Sequence, residues 1–229
     1  MLGSSVVIEP GDLLASGRAA DVFDQGDGTV LRRYRTEYDC EPEARLMSWL
    51  HGQGFPVPIV YQATERDIVM ERVSGLTMLE DLERRPWLVF GHVRTLSELQ
   101  KKLNEMRAPE WVRSDHRIPA GSALLHLDLH PLNVIVSPQG PVVIDWTNAR
   151  RGDADFDAAL SYILMAAYEA QGIKETIAHQ VITRTFRWLR GSGQIRKRLA
   201  DAAEYRLLDQ NITAGERTAI QRMLNRSRA

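Results

Sequence analysis

Apolar and polar positions follow a short period up to about residue 75 and a longer one after it. "SSVVIEP", "ADVFDQ", "GTVLRRYR" and "DIVMERV" are short β-rich runs separated by Gly, Asp and Pro, and they predict a small antiparallel sheet. One helix interrupts it. In "EPEARLMSWLHGQG", Ala44, Leu46, Met47 and Leu50 recur at helical spacing, Pro42 suits the first turn, and Gly52 or Gly54 suits the stop. "FPVPIVYQAT" is expected to be extended, because its prolines fix φ and restrict their neighbours. Beyond "VSGLT" the period becomes helical. "HVRTLSELQKKLNEM" puts Val93, Leu96, Leu99, Leu103 and Met106 on one stripe, and "FDAALSYILMAAYEA" is apolar around its circumference, as a buried helix is. "KETIAHQVITRTFRWLR" and "IRKRLADAAEYRLLDQ" are amphipathic and separated by "GSGQ". The pattern predicts an α+β chain of two lobes, 1–75 and 76–229, joined near Ser74 and Gly75.

Composition narrows the setting. At 229 residues the chain can bury a core without covalent staples, and its one cysteine, Cys40, excludes an internal disulfide and fits a reducing cytoplasm. The N-terminus lacks the basic start and apolar stretch of a secretory signal, and no later run reaches about 18 apolar residues, so neither export nor a membrane is expected. A net charge of -1 gives no sign of a nucleic-acid partner. Residues 171–229 hold twelve Lys or Arg against five Asp or Glu, which fits a solvated basic helix face or the wall of a pocket.

Candidate chemistry lies in "LLHLDLHPLNVIVSPQGPVVIDW". Two β-rich triplets, Val134 to Val136 and Val142 to Ile144, flank "SPQGP", which has the composition of a hairpin turn. Pairing Val136 with Val142 and stepping outward places Asn133 opposite Asp145 at the open end, and hard oxygen ligands of this kind suit Mg²⁺ that also holds phosphate. His126, Asp128 and Asn133 have the His-x-Asp-x4-Asn spacing of a kinase catalytic loop, in which the aspartate takes the substrate hydroxyl's proton and the asparagine binds metal. A competing arrangement puts His126, Asp128 and His130 on one strand face as zinc ligands, although Pro131 ends such a strand at once.

"HLDLHPLNVIV" followed by "VVIDWTNARRGDADFDAAL" resembles the aminoglycoside phosphotransferase and choline kinase-like family. The similarity extends through "VLRRYR", "EARLMSWL", "FPVPIV" and "VMERVSGLTM", over about residues 14–162. It implies a bilobal protein-kinase-like fold, ATP and Mg²⁺ as cofactors, and transfer of the γ-phosphoryl group to a hydroxyl of a small molecule. It also implies Asp128 as base, Asn133 and Asp145 as Mg²⁺ ligands, Met70, Glu71 and Val73 in the segment that meets adenine, and Glu43 facing the cation that grips the phosphates. Asp157 corresponds to the aspartate that braces the catalytic loop, or serves as a helix N-cap.

The chain departs from the family pattern in places. No lysine precedes Lys101, so Arg32, on the face of its strand shared with Val30, would replace the third-strand lysine; Arg33 would face away. "ASGRAADVF" has a single glycine, and Leu127 replaces the glycine usual in the catalytic loop. A catalytically silent nucleotide-binding module is the alternative that the missing lysine suggests. No activation segment closed by Ala-Pro-Glu follows Asp145, which points away from a protein substrate. The helices over 91–107 and from 174 onward are the expected walls of the acceptor pocket.

Overall fold

A computed structural model describes residues 8–17, 19–36, 38–169 and 172–228. The front of the chain forms strands β1 (Asp12–Ser16), β2 (Ala20–Asp24) and β3 (Thr29–Tyr34), helix α1 (Glu41–Gly52), and strands β4 (Val60–Ala63), β5 (Asp67–Glu71) and β6 (Leu76–Thr77). Helices α2 (Met78–Arg84) and α3 (Val89–Glu105) follow, then strands β7 (Ala123–Leu125), β8 (Val134–Ser137), β9 (Gly140–Val143) and β10 (Arg150–Gly152). The chain ends in helices α4 (Ala154–Ala166), α5 (Ile173–Arg190), α6 (Ser192–Leu207) and α7 (Ala214–Arg228). It divides into two compact units, Met1–Gly75 with Ile135–Thr147, and Leu76–Val134 with Asn148–Ala229.

In the first unit β1 to β5 form one sheet in the order β1-β2-β3-β5-β4, antiparallel throughout. Of the strand expected over 4–10, residues 4–7 lie outside the described residues and 8–10 are not a strand; the first strand is β1 instead. Pro10 and Gly11 explain the shift, since proline offers the ladder no N–H, and a Cβ at Gly11 would stand 1.8 Å from the Asp24 carbonyl oxygen. Ala20, Tyr34, Cys40, Ala44 and Ile68 form a core cluster that includes residues of α1 and of three strands. Pro42 lies in the first turn of α1, and Gly54, at φ +70°, ends it by donating its N–H to the His51 carbonyl at 2.9 Å.

The β8–β9 turn is tighter than the sequence pattern suggests. Only Pro138 and Gln139 separate the strands, Gly140 takes φ +126°, and the Ser137 hydroxyl donates to the Gly140 carbonyl at 2.8 Å. The hairpin docks in the first unit through the Val143 N–H on the Pro56 carbonyl (2.9 Å) and through Trp146, buried edge-on against Phe55 at 5.7 Å. Gly75 meets the hairpin so closely that a Cβ there would lie 2.4 Å from the Val136 carbonyl oxygen, and its φ of +147° favours glycine as well.

In the second unit a capping box starts α2, with Thr77 and Glu80 satisfying each other's backbone N–H groups. Helix α3 buries Val93, Leu96, Leu99 and Leu103 as the stripe predicts, and buries Ser97, Gln100 and Asn104 as well. Met106 caps the end of α3 rather than extending its stripe. Strand β7 pairs antiparallel with β10, Leu125 opposite Arg150. Asp153 caps α4 by accepting the N–H groups of Asp155 and Phe156, so Asp157 is not the N-cap but a buried first-turn residue. Helix α4 packs on α5 and α6, and α6 packs on α7. Among the described residues no helix is long and apolar enough to cross a membrane.

Candidate active site

Two clusters of polar side chains, one in each unit, gather the residues singled out from the sequence. In the first unit, β3 presents Arg32 and Tyr34 on one face, α1 contributes Glu43, and the chain after β9 contributes Asp145 and Thr147. Arg32 Nη1 donates to Glu43 Oε1 at 3.0 Å, while Nη2 donates to Asp145 Oδ1 at 2.9 Å and to Thr147 Oγ1 at 3.2 Å. The Tyr34 hydroxyl donates to Glu43 Oε2 and lies 2.9 Å from Thr147 Oγ1. Arg33 faces the other way, paired with Asp67.

Burial disfavours the charges of Glu43 and Arg32, and their partners offset it. Burial pushes the Glu43 carboxyl above its usual range, opposed by Arg32 and by the Tyr34 hydroxyl. Burial works against the Arg32 charge, but Glu43 and Asp145 outweigh it and hold the guanidinium protonated. Burial pushes the Cys40 thiol up to about 12, with the Glu43 charge adding to the rise, so Cys40 is a packed helix-start residue without thiolate character.

Met70 and Glu71 lie on β5, opposite Val30 and Thr29. The Glu71 N–H donates to the Ile59 carbonyl at 2.8 Å, its carboxylate accepts the Ile59 N–H, and the Arg72 N–H donates to the Gly28 carbonyl at 3.0 Å. Val73 follows the end of β5. The β1–β2 turn closes through the Gly17 N–H on the Ala20 carbonyl at 2.9 Å; Arg18 of that loop lies outside the described residues.

In the second unit the loop after β7 carries Asp128. Leu127 is buried in the left-handed region at φ +65°, and its N–H donates to Asp157 Oδ1 at 2.8 Å. The His126 ring is fully buried, and its Nδ1 accepts the Asp128 N–H at 3.3 Å. Asn133 Nδ2 donates to the Asp128 carbonyl at 2.8 Å and to its carboxylate at 3.2 Å, which directs the amide oxygen away from Asp128. The Asp128 side chain keeps 24% of its surface exposed and lies 3.5 Å from His130 Nε2.

Behind the loop, Asp157 Oδ2 accepts from Asn104 (2.9 Å) and Gln100 (3.2 Å), Gln100 reaches Ser161, and Asn104 Oδ1 accepts from Arg190 of α5. Sequence reading placed Asp157 but missed Gln100, Asn104 and Arg190. The available signal was their spacing: Gln100 and Asn104 are four apart and share a face with Leu96 and Leu103. The zinc arrangement has no support, because among the described residues no three His, Cys, Asp or Glu side chains are grouped to hold a metal.

A cavity of about 790 Å³ in the second unit is lined by Asp115, Arg117, Arg151, Asp201, Glu204 and Tyr205, among others. Helix α6 contributes Asp201, Glu204 and Tyr205 to its lining. Each of its carboxylates is already paired, Asp115 with Arg117, Asp201 with Arg198 and Glu204 with Arg228. Much of the basic tail is spent in the same way, since Arg198 also holds Asp153 and Arg206 holds Asp209 and Glu216.

Comparison with known proteins bears on the same region. Residues 81–191 match the model described as "Phosphotransferase enzyme family". No curated protein matches the chain. Among solved structures, the ADP-bound aminoglycoside phosphotransferase APH(2'')-Ib aligns at TM-score 0.63 and 14% identity, over 95% of this chain and 93% of that one. A thermostable mutant of aminoglycoside phosphotransferase APH(4)-Ia, in a ternary complex with ADP and hygromycin B, aligns at TM-score 0.64 and 16% identity, over 95% and 91%. A choline/ethanolamine kinase family protein from Mesorhizobium loti aligns at TM-score 0.57 and 16% identity, over 99% and 88%. The chain has the kinase-like fold of these enzymes.

Proposed function

We infer, from a chain whose residues 81–191 match the phosphotransferase enzyme family and whose fold is that of small-molecule kinases, an ATP-dependent phosphotransferase that acts on a hydroxyl of a small molecule. The observation that carries this reading is the Asp128 loop, a partly exposed carboxylate fixed by Asn133, with the preceding residue's N–H anchored on a buried aspartate. Asp128 is the proposed base, within hydrogen-bond reach of an acceptor hydroxyl when one is bound. Arg32, oriented by Glu43, grips the nucleotide phosphates, a task that a guanidinium suits by its divergent donors. Since the Glu71 and Arg72 N–H groups are already spent, Val73 offers the backbone donor for adenine.

Asn133 and Asp145 fit Mg²⁺ in chemistry, being hard oxygen donors, and the Asn133 amide is oriented with its oxygen away from Asp128. Each is proposed, within its own unit, as a ligand for the ion, which would supply charge neutralisation on the phosphates. The acceptor is a small hydroxylated molecule, of the class represented by the hygromycin B bound in one structural neighbour.

Incubation of the purified chain with labelled ATP, Mg²⁺ and a panel of hydroxylated metabolites and antibiotics should yield one phosphorylated product class. Asp128→Ala should lower turnover by about 10²-fold or more while ADP affinity stays within about threefold. Undiminished turnover in that variant would remove Asp128 from the base role.

A further inference from the structure

Replacing a lysine with an arginine at the phosphate-gripping position changes what the surroundings must supply. An ammonium is a single point with freely rotating donors, whereas a guanidinium has two diverging terminal nitrogens, and each needs its own acceptor to fix the plane. Arg32 is supplied accordingly. Nη1 is fixed by Glu43 and Nη2 by Asp145 and Thr147, while Nε and the second Nη1 hydrogen have no partner among the described residues. The guanidinium carbon also lies 5.0 Å from the centre of the Tyr34 ring.

Tyr34 and Thr147 tie these acceptors to one another. The Tyr34 hydroxyl gives its proton to Glu43 Oε2, and Thr147 Oγ1, which rests 2.9 Å from the Tyr34 oxygen, gives its one proton to Asp145 Oδ1 at 3.0 Å. One hydroxyl pair thereby fixes the second oxygen of Glu43 and the first oxygen of Asp145, the two carboxylates that Arg32 spans. A lysine at position 32 would carry its three donors on one nitrogen and have no plane for the two hydroxyls to fix.

We propose that Thr147 and Tyr34 are positioning residues matched to Arg32, holding its guanidinium plane so that the unpartnered donors are presented to the phosphates of a nucleotide. This rests on the nucleotide reading above, and both can be tested with full-length protein and ADP plus Mg²⁺ by isothermal titration calorimetry. Thr147→Val, which keeps the shape and deletes the hydroxyl, should weaken ADP binding about tenfold, and Thr147→Ser should restore it to within about twofold. In an Arg32→Lys background the same Thr147→Val change should cost less than about twofold, because the partner it serves is gone.

Equal losses in both backgrounds, or a Thr147→Val variant that binds as the wild type does, would overturn the proposal. If Thr147→Val does not fold, Tyr34→Phe deletes the neighbouring hydroxyl, and the same coupling to Arg32→Lys is expected and decides the matter. Wild-type protein that binds no ADP would overturn the nucleotide reading and this inference together. Wild-type binding without coupling to Arg32 would overturn this inference alone.

Discussion

Among the described residues two non-glycine residues adopt left-handed backbone, Leu127 at φ +65° and Asp145 at φ +64°, and each stands beside or within the proposed chemistry. Such a conformation costs about 1–2 kcal/mol for an ordinary side chain and persists only where neighbours fix it. Leu127 is held by Asp157 and by burial of its own side chain; Asp145 precedes the buried Trp146 and is paired with Arg32. Glycine at 127 would relieve the strain but forfeit roughly 2–3 kcal/mol of leucine burial. Burial wins, so Leu127→Gly should destabilise the protein by about 1 kcal/mol in urea unfolding, with the loop geometry retained. Spacing alone pointed to Asp128, Asn133 and Asp145. It was silent on the strain at Leu127, because periodicity encodes which face a residue occupies and not the sign of φ. For Gln100 and Asn104 spacing gave the face shared with Leu96 and Leu103, but their polarity suggests solvent until the buried Asp157 opposite them is known.

Among elements, those with strong local signals lie where the pattern puts them. Helix α1 has Pro42 and Gly54 as its punctuation, and α4 is apolar enough to require burial on every side. Helix α7 escaped sequence reading because Ile220 and Leu224 are the buried positions in an otherwise polar segment, too few to set a period against so many arginines. The cap of α4 was assigned to the wrong aspartate, since Asp153, Asp155 and Asp157 all suit a first turn and only backbone geometry separates them. Asp153 also binds Arg198 of α6, so it secures two helices at once. Asp153→Ala should cost about 1–2 kcal/mol in chemical denaturation, and Asp153→Asn, which keeps a capping oxygen but loses the charge, should cost less.

For the whole molecule, a net charge of -1 conceals dense local pairing, and acid is the condition that exposes it. Arg117 holds the Asp115 carboxyl down to about 2, against the opposing effect of burial, and Arg198 likewise keeps Asp153 below its usual range despite burial. A carboxylate depressed in the folded state contributes fully above its unfolded value, about 3.9, and loses that contribution as pH falls through the folded one. The melting temperature should therefore stay nearly level from pH 7 to about 5 and fall steeply between about 4 and 2. Asp115→Asn should make that fall shallower, measured by scanning calorimetry across the same buffers.

The first unit is discontinuous, its sheet ending before residue 75 and its hairpin arriving with Ile135–Thr147. During synthesis, at about 5–20 residues per second, the ribosome delivers Trp146 several seconds after Gly75. Until then the nascent front segment waits with Phe55 lacking its indole neighbour and with Arg32 and Glu43 lacking Asp145 and Thr147. Translation that stops short of residue 135 therefore yields a front segment with Phe55 uncovered and its polar cluster incomplete, a species suited to chaperone capture rather than to independent folding.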